Sequence, residues 1–432
     1  MNPAKPPPRP SGRSGPPRLA DLDRAASQAL ATKACSAVAM AMGSVDGSGR
    51  LLLRHIAGYG HAVPPPPTVR MAPVCQFDVG ALTGGLVPTL LALQWTAKNR
   101  LELERTLGEL LPDGRKSPMA DVPLSTLLDH TSGIGGQPAA LERLLAEVPR
   151  PARAVLQGGL APREAPRRAP TETILRRLEE QGGPLAPADA DRLRQSLLAL
   201  APAAAPGQVE ADSPLEPLLL GWALEAAGKQ PLEVLFRRDV LAPLGIAPAH
   251  LSYRRCNADG PYLPPAGRAG EANAVATAAC PFRRRVPHGE PRDLLAYLFG
   301  GVAGHNGLFA TIDGLWQLCA PLLDAARGRH TAWHAASVGR FFSRSRRLDD
   351  ARYALGWEIA CRANGMAPGR WHPKSVGLVC PSGQSIFLDP GYGVIGILLT
   401  NWGAGRSLPG AMGFDTFRLR VFDTMASLAG AI

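Results

Sequence analysis

The chain has 432 residues, 45% of them hydrophobic and 19% charged, which is ordinary for a soluble globular protein and allows one large domain or two intertwined ones. Its net charge of +11 comes from 47 basic and 36 acidic residues, and only six of the basic residues are lysine. The abundance of Ala, Arg, Pro and Gly is typical of a GC-rich coding bias, so the charge does not by itself indicate a nucleic-acid partner.

The chain lacks the motifs of several kinds of binding site. The arginine clusters at 283–285 and 340–347 have no interleaved aromatic residues, which favours a solvated surface over a nucleic-acid or phosphate site. The seven cysteines include no CxxC pair, and the nine histidines include no HExxH or HxH pattern. We therefore expect no disulfide framework, no metal site and no cofactor.

The N-terminal residues and the hydropathy of the chain bear on its location. Residues 1–20 are rich in Pro and Arg and contain almost nothing apolar to bury, so we expect a disordered tail rather than a secretory signal. No run of about 18 apolar residues is available to span a membrane. These features predict a cytoplasmic protein with no membrane or nucleic-acid partner.

The first part of the chain predicts a helix, a hairpin and two further helices. Residues 19–31 form a helical segment, and the apolar runs 37–42 and 51–56 are joined by GSVDGSGR, whose Asp-Gly step suits a hairpin turn. After the loop VPPPPT and the stretch FDVGALTGGLVPTLLALQ, residues 87–110 predict a helix. A short helix is predicted at 123–130.

The remainder of the chain predicts helices first and strands afterwards. Residues 135 to about 211 are rich in Pro, Ala and Arg with scattered helical periods, and helices follow at 218–227, with Gly228 as the C-cap, and at 232–241. The last elements are a helix at 315–326 and strands at 353–359, 385–388 and 394–399. Strands near both termini with helices between them predict one sheet that is interrupted by a helical insertion.

Five segments in fixed order resemble the serine β-lactamase, DD-peptidase and esterase superfamily, most closely its class C-like branch. They are PLSTLLDHTSGIGG (123–136), LLLGWALEAAGKQPLEVLFRRDVLAPLGI (218–246), GGVAGHNGLFATIDGLWQL (300–318), YALGWE (353–358) and FLDPGYGVIGILLTN (387–401). One such motif would be weak evidence, but five in order and covering residues 25 to 425 are strong.

The resemblance implies an α/β (α+β) fold of the β-lactamase/transpeptidase type. Its mainly antiparallel central sheet, flanked by helices, is expected from residues 21–95 and 281–432, and a mostly helical domain from 96–280. It also implies a chemistry: a serine nucleophile, a lysine three residues later as its base, a YxN-type proton relay and a KTG or HTG substrate strand. Backbone N–H groups would form the oxyanion hole.

This chain departs from the family at every one of those positions. The nucleophile and lysine positions hold Ala81 and Gly84, the relay motif is replaced by Asp212, Ser213 and Pro214, and the substrate strand is replaced by Leu378, Val379 and Cys380. The family's HDxxA motif falls on Arg292–Asp293, which keeps the aspartate and loses the histidine. No SxxK, YxN, KTG or HTG occurs elsewhere, so the sequence predicts no catalytic residues of the family type.

Other polar residues near these positions allow a catalytic and a structural interpretation. His130 and Ser132 could form a base and nucleophile, but neighbours in sequence rarely have that geometry, and the family loop is structural. His305 could be a base, although a packed loop histidine is favoured. Cys380 could be a reactive thiol, but without an obvious cationic partner a buried apolar cysteine is favoured.

The sequence therefore predicts a pseudoenzyme that binds a partner protein or a small ligand, neither of which it identifies, through the cleft inherited from the family. The alternative is an active serine hydrolase (esterase, amidase or β-lactamase-related) that uses Ser213 or Ser382 with a histidine brought close by the fold. We expect Ala81 at the N-terminus of a helix on the cleft floor, facing Asp212 and the strand after Gly377. A closed or self-occupied cleft is favoured over an open one.

Overall fold

A computed structural model of the protein describes residues 18–63, 69–70, 74–134, 184–256, 274–280, 283, 285–329, 331–360, 370–404 and 413–430. Residues 1–17 of the predicted tail lie outside these ranges. Residues 135–183, for which scattered helical periods were predicted, also lie outside them. Within the described residues, no helix combines the length and the hydropathy needed to cross a bilayer.

The described residues contain ten β-strands and twelve α-helices. The strands are β1 Ala37–Val45, β2 Leu51–Val63, β3 Val69–Arg70, β4 Phe77–Asp78, β5 Leu251–Tyr253, β6 Leu308–Ala310, β7 Glu358–Ile359, β8 Val376–Val379, β9 Ser385–Asp389 and β10 Val394–Thr400. The helices are α1 Leu19–Ala31, α2 Leu82–Leu86, α3 Pro88–Ala97, α4 Leu107–Leu110, α5 Leu124–Leu128, α6 Pro187–Leu198, α7 Leu215–Gly228, α8 Leu232–Phe236, α9 Leu294–Leu298, α10 Ile312–Ala326, α11 Ala335–Phe341 and α12 Phe414–Gly430.

Seven strands from both ends of the chain form one antiparallel sheet in the order β3-β2-β1-β10-β9-β8-β7. Its central pair joins β1 to β10, with Val38 opposite Thr400 and Ser44 opposite Val394. The predicted sheet, built from both termini and mainly antiparallel with flanking helices, is therefore confirmed. A smaller antiparallel sheet, β4-β6-β5, lies beside α2.

The period-two alternation of β1 separates two hydrophobic cores. Ala37, Ala39 and Ala41 belong to the larger core, which contains most of the helices. Val38, Met40 and Met42 point to the opposite face, where α1 and α12 cover the sheet with residues that include Phe417 and Phe422. Both faces of the sheet are thus buried, which explains why its central strands are continuous apolar runs.

Several predicted element boundaries are wrong. The helix predicted at 87–110 is two helices, α3 and α4, because Asn99 adopts a left-handed φ of 54° between them. Gly228 is not the C-cap of α7, since the left-handed residue there is Lys229. A Cβ at Gly228 would lie 2.7 Å from Leu235 Cδ2 and 2.8 Å from Trp95, so glycine is required there by packing.

Other elements differ in kind from the prediction. The segment 232–241 begins as α8 and continues as a π-helical turn at Arg237–Leu241. The strand predicted at 353–359 is reduced to β7 and one bridge between Tyr353 and Glu358, because residues 355–357 form a bend. The small sheet and the long helix α12 were not predicted, whereas β8 is the strand that was expected near Gly377.

Candidate functional site

A tight turn between β4 and α2 carries the residue at the family's nucleophile position. Asp78 holds this turn, since its side chain accepts hydrogen bonds from the N–H of Gly80 at 3.0 Å and of Arg292 at 2.6 Å. Gly80 has a φ of +58°, a conformation that favours glycine, and a Cβ there would lie 2.7 Å from Cys380 Sγ. Ala81 follows as the exposed N-cap of α2, as predicted.

The loop after β8 closes over this helix terminus through a chain of hydrogen bonds. The N–H of Ala81 donates to Cys380 Sγ at 3.4 Å, and Cys380 Sγ lies 2.9 Å from Ser382 Oγ. The Ser382 hydroxyl donates to Gln384 Oε1 at 2.8 Å, so the thiol is the donor toward Ser382. Gln384 in turn donates to the carbonyl oxygens of Asp78 and Thr400.

The chemical state of Cys380 agrees with this network. Burial raises the pKa of the Cys380 thiol, and the hydrogen bonds that its sulfur forms with Ser382 and with the Ala81 N–H oppose that effect only in part. The side chain is 5% exposed. A protonated, buried thiol is a poor nucleophile, which supports the structural interpretation of this cysteine. The next residue, Pro381, has no N–H that could act as an oxyanion donor.

Two neighbouring side chains cover the floor of the cleft where the family lysine would lie. A Cβ at Gly84 would lie 3.0 Å from Pro217 Cβ on α7. A Cβ at Gly85 would lie 2.5 Å from Leu378 Cδ2 on β8. The α2 helix is therefore packed directly against α7, the helix that follows the relay positions, and against β8, which carries the first residues of the replaced substrate strand.

The relay position shows no catalytic arrangement among the described residues. Asp212 has a side chain that is 71% exposed and lies 3.6 Å from His130 Nδ1. Ser213 is buried, and its hydroxyl accepts a hydrogen bond from the N–H of Leu215 at 3.3 Å, near the start of α7. This is a local structural contact just before α7, whose N-cap is Pro214, since the hydroxyl oxygen accepts from the backbone N–H two residues later.

His130 and Ser132 share one buried carboxylate instead of contacting each other. His130 Nδ1 lies 2.5 Å from Glu216 Oε2, and the Ser132 hydroxyl donates to Glu216 Oε1 at 2.5 Å. Burial alone would lower the pKa of His130, but the charge and hydrogen bond of Glu216 outweigh it and raise that pKa to about 9. The imidazole is therefore a cation bound to Glu216 and is not a free base for Ser132.

His305 and the arginine clusters also serve the structure. His305 is buried, with Nε2 2.9 Å from Asp293 Oδ1, and Asp293 caps α9 by accepting from the N–H of Ala296. The solvated surface predicted for the cluster at 283–285 is wrong for Arg283, which is buried, pairs with Glu290 at 3.3 Å and lies 4.4 Å from the Tyr297 ring centroid. Arg347 binds Asp129 at 3.0 Å, so the second cluster is only partly solvated.

One hollow beside the cleft is small. A hollow bounded by residues that include Asp78, Ser382 and Thr400 has a volume of about 10 Å³, which is roughly enough for one water molecule. Across the described ranges, no three His, Cys, Asp or Glu side chains are arranged to hold a metal ion.

Glu216, Gln384 and Pro217 determine this site, and none of them was singled out from the sequence. An acidic residue in the first turn of a helix is ordinarily a solvent-exposed residue that complements the helix dipole, so Glu216 gave no signal. Gln384 lies 306 residues from the Asp78 carbonyl that it binds. The sequence contained one signal, the polar side chains of the DHTSG loop. If these side chains are buried, they require hydrogen-bond partners from elsewhere in the fold.

This chain is similar in sequence to known proteins. A family model described as "Beta-lactamase" matches residues 48–411. A protein of Escherichia coli O157:H7, provisionally named as a D-alanyl-D-alanine carboxypeptidase, is 26% identical over 204 residues. That alignment spans 45% of this chain and 46% of the relative, so the chain matches less than half of that protein's length.

Solved structures with the same fold include hydrolases of low sequence identity. EstCE1, described as a hydrolase with promiscuous acyltransferase activity, is 17% identical with a TM-score of 0.64, over 94% of this chain and 97% of that one. The D-alanine carboxypeptidase AmpC from Burkholderia cenocepacia is 15% identical with a TM-score of 0.60, over 96% and 100% of the two chains. At these identities the likeness establishes a common fold.

Proposed function

Because the chain belongs to the beta-lactamase family and lacks that family's reactive groups, we propose that it is a pseudoenzyme, which does not hydrolyse acyl substrates and acts by binding. The loss of a nucleophile or of its base alone typically lowers the rate by about 10⁴- to 10⁶-fold. Here Ala81 and Gly84 replace both, so the remaining cleft would have to supply almost the entire rate acceleration.

One observation carries this proposal: the N–H of Ala81 donates to Cys380 Sγ at 3.4 Å. An oxyanion hole requires free N–H donors directed at the reacting oxygen. The donor at the nucleophile position is already bound to the protein's own side chain, and Pro381 offers none. The position at which an acyl group would be attacked is therefore closed as well as chemically inert.

The binding role would use the rim of the cleft, since its floor is covered by Pro217 and Leu378. Ala81, Asp212 and Pro381, which lie at or next to the positions of the family motifs, are exposed. Asp212 brings a carboxylate that is 71% exposed, which would suit a donor or cation on the bound partner or ligand. A protein surface or a small molecule could provide such a group.

The rival function, an active hydrolase with a displaced nucleophile, has less support. Ser382 is bound to Cys380 and Gln384, and Ser213 accepts from the N–H of Leu215, so neither has a histidine among its described hydrogen-bond partners. The only serine close to His130 in sequence, Ser132, is fully buried and bound to Glu216.

The two functions are separated by covalent labelling. The intact protein is incubated with a fluorophosphonate probe and with a chromogenic cephalosporin, and adducts are located by mass spectrometry. We expect no adduct and no burst, whereas a family member with an intact SxxK motif, run in parallel, is labelled. An adduct on Ser213 or Ser382 that disappears in the Ser213→Ala or Ser382→Ala variant would establish the hydrolase and overturn the proposal.

A further inference from the structure

A cavity of ligand size lies away from the inherited cleft. It has a volume of about 650 Å³ and lies between α8 with its π-helical turn and strand β5 of the small sheet. Ala81, Asp212 and Cys380 do not line it. Pockets that bind small organic ligands typically measure about 300 to 1,000 Å³, so this cavity has the volume of a ligand site and the hollow beside the cleft does not.

The wall of the cavity is apolar where it is deepest. Phe236, Leu241 and Leu251 line it and are almost completely buried. The backbone of this wall is unusual, because the N–H of Ala242 donates to the carbonyl of Arg237, five residues earlier. Single π-helical turns of this kind are rare and occur frequently at functional sites.

The mouth of the cavity is cationic. Three arginines, Arg237, Arg254 and Arg255, and one carboxylate, Glu233, line it. Arg255 forms an ion pair with Glu233, so that carboxylate is already neutralised. Arg237 is exposed, and the described residues provide no carboxylate that pairs with it. It is therefore the guanidinium that is available to a ligand.

One side of the mouth is held in position by a neutral amide. Arg254 donates from Nε and Nη2 to Gln76 Oε1 at 2.9 and 2.6 Å. Gln76 donates from Nε2 to the carbonyl oxygens of Ala249 at 2.9 Å and Pro248 at 3.3 Å. This chain of bonds ties β5 to the segment after the π-helical turn, so the cavity is preformed and needs little reorganisation to accept a ligand.

We propose that this cavity binds a small amphipathic organic anion. The apolar body of the ligand packs against Phe236, Leu241 and Leu251, and its single carboxylate or phosphate head binds Arg237. The planar guanidinium fork of arginine matches either head group, and the positive charge of Arg237 at the mouth selects against cationic ligands. The inference is independent of the inherited cleft, since neither site shares a lining residue with the other.

The test uses the fluorescent anion 8-anilinonaphthalene-1-sulfonate with the intact protein. We expect saturable binding that decanoate or decyl phosphate displaces, and that decylammonium at the same concentration does not. Whichever of the two anions competes at the lower concentration identifies the head group. Absence of saturable binding, or equal displacement by decylammonium, would overturn the proposal.

Two variants locate the bound probe. Arg237→Gln should weaken binding about tenfold or more, because a hydrogen bond to a charged group contributes about 1.5 to 3 kcal/mol. Arg340→Gln, which removes an exposed helical arginine from α11, is the matched control and should leave the affinity unchanged. Ser252→Phe, which places a ring in the cavity from β5, should abolish binding while the circular dichroism spectrum is retained. Unchanged affinity in both cavity variants would contradict the assigned site.

Discussion

Glu358 lies beside the buried ion pair of His130 and Glu216, and it is the carboxylate there whose protonation changes near neutral pH. Burial raises the pKa of Glu358 to about 7, while Arg352 opposes that shift and Asp212 adds to it. His130, which is cationic, also opposes it, and Glu210 adds to it. Below about pH 7 the Glu358 carboxyl is therefore mostly protonated in the folded protein.

We predict that Glu358→Gln makes stability less dependent on pH. Because the folded pKa is raised, the stabilisation from protonated Glu358 is complete below about pH 4.3, the ordinary pKa of glutamate, and is lost as the pH rises through about 7. The variant keeps a neutral side chain at all pH values. Its free energy of unfolding relative to the wild type should therefore rise between pH 5 and pH 8, by up to about 3 kcal/mol.

Urea denaturation at pH 5, 6.5 and 8 measures this difference. Glu102→Gln, at an exposed position, is the matched control and should give the same difference from the wild type at every pH. A Glu358→Gln effect that is constant with pH would show that the wild-type carboxyl is already ionised at pH 5.

At the scale of elements, the close contact of α2 with α7 and β8 determines what the cleft can accept. We predict that the double variant Ala81→Ser and Gly84→Lys does not regain acylation, because the relay and substrate strand remain absent. A lysine at 84 must also displace Pro217, which lies 3.0 Å from the position of its Cβ. Overpacking of this kind costs about 1 to 3 kcal/mol, so the double variant should melt at a lower temperature than the wild type.

Burst kinetics with a chromogenic cephalosporin and thermal denaturation test the two parts of this prediction. Ala81→Ser alone is the control, since Ala81 is exposed and the substitution should leave the melting temperature unchanged. A stoichiometric burst in the double variant would mean that the rest of the catalytic site is intact after all.

The elements that the sequence predicts well are those whose own residues determine them. The central strands β1 and β10 are long apolar runs, and the ordered motifs place Ala81 at the start of a helix. The strands of the small sheet have only two or three residues, which is too short for a periodicity to be detected.

The sequence favoured a closed or self-occupied cleft, but it did not identify the contacts that occupy the candidate site. The contact between Ala81 and Cys380 joins residues 299 positions apart, and His130 meets Glu216 across 86 positions. Only the folded chain shows that a thiol and a carboxylate now occupy these positions.

At the scale of the whole molecule, the helices nearest the two ends of the chain stabilise one face of the large sheet. The Phe422 side chain of α12 is completely buried, and its ring centroid lies 4.5 Å from that of Phe387 on β9. We predict that Phe422→Ala lowers the free energy of unfolding by about 3 to 5 kcal/mol, because it leaves a cavity between α12 and the sheet.

Chemical denaturation measures this loss, with Thr416→Ala on the exposed side of α12 as the control. Near-neutral stability of Phe422→Ala would mean that α12 contributes little to holding the sheet.

The pairing of β1 with β10 also affects how the protein is made. On the ribosome β1 and β2 emerge early and can form their hairpin, but β10 begins at residue 394. At about 5 to 20 residues per second, the partner strand follows roughly 20 to 70 s later. Throughout that interval one edge of β1 is unpaired, although α1 is already available to cover one of its faces, and an unpaired apolar edge is the kind of surface that aggregates. Biosynthesis of this protein should therefore depend on chaperones that shield the nascent hairpin until β10 has been synthesised.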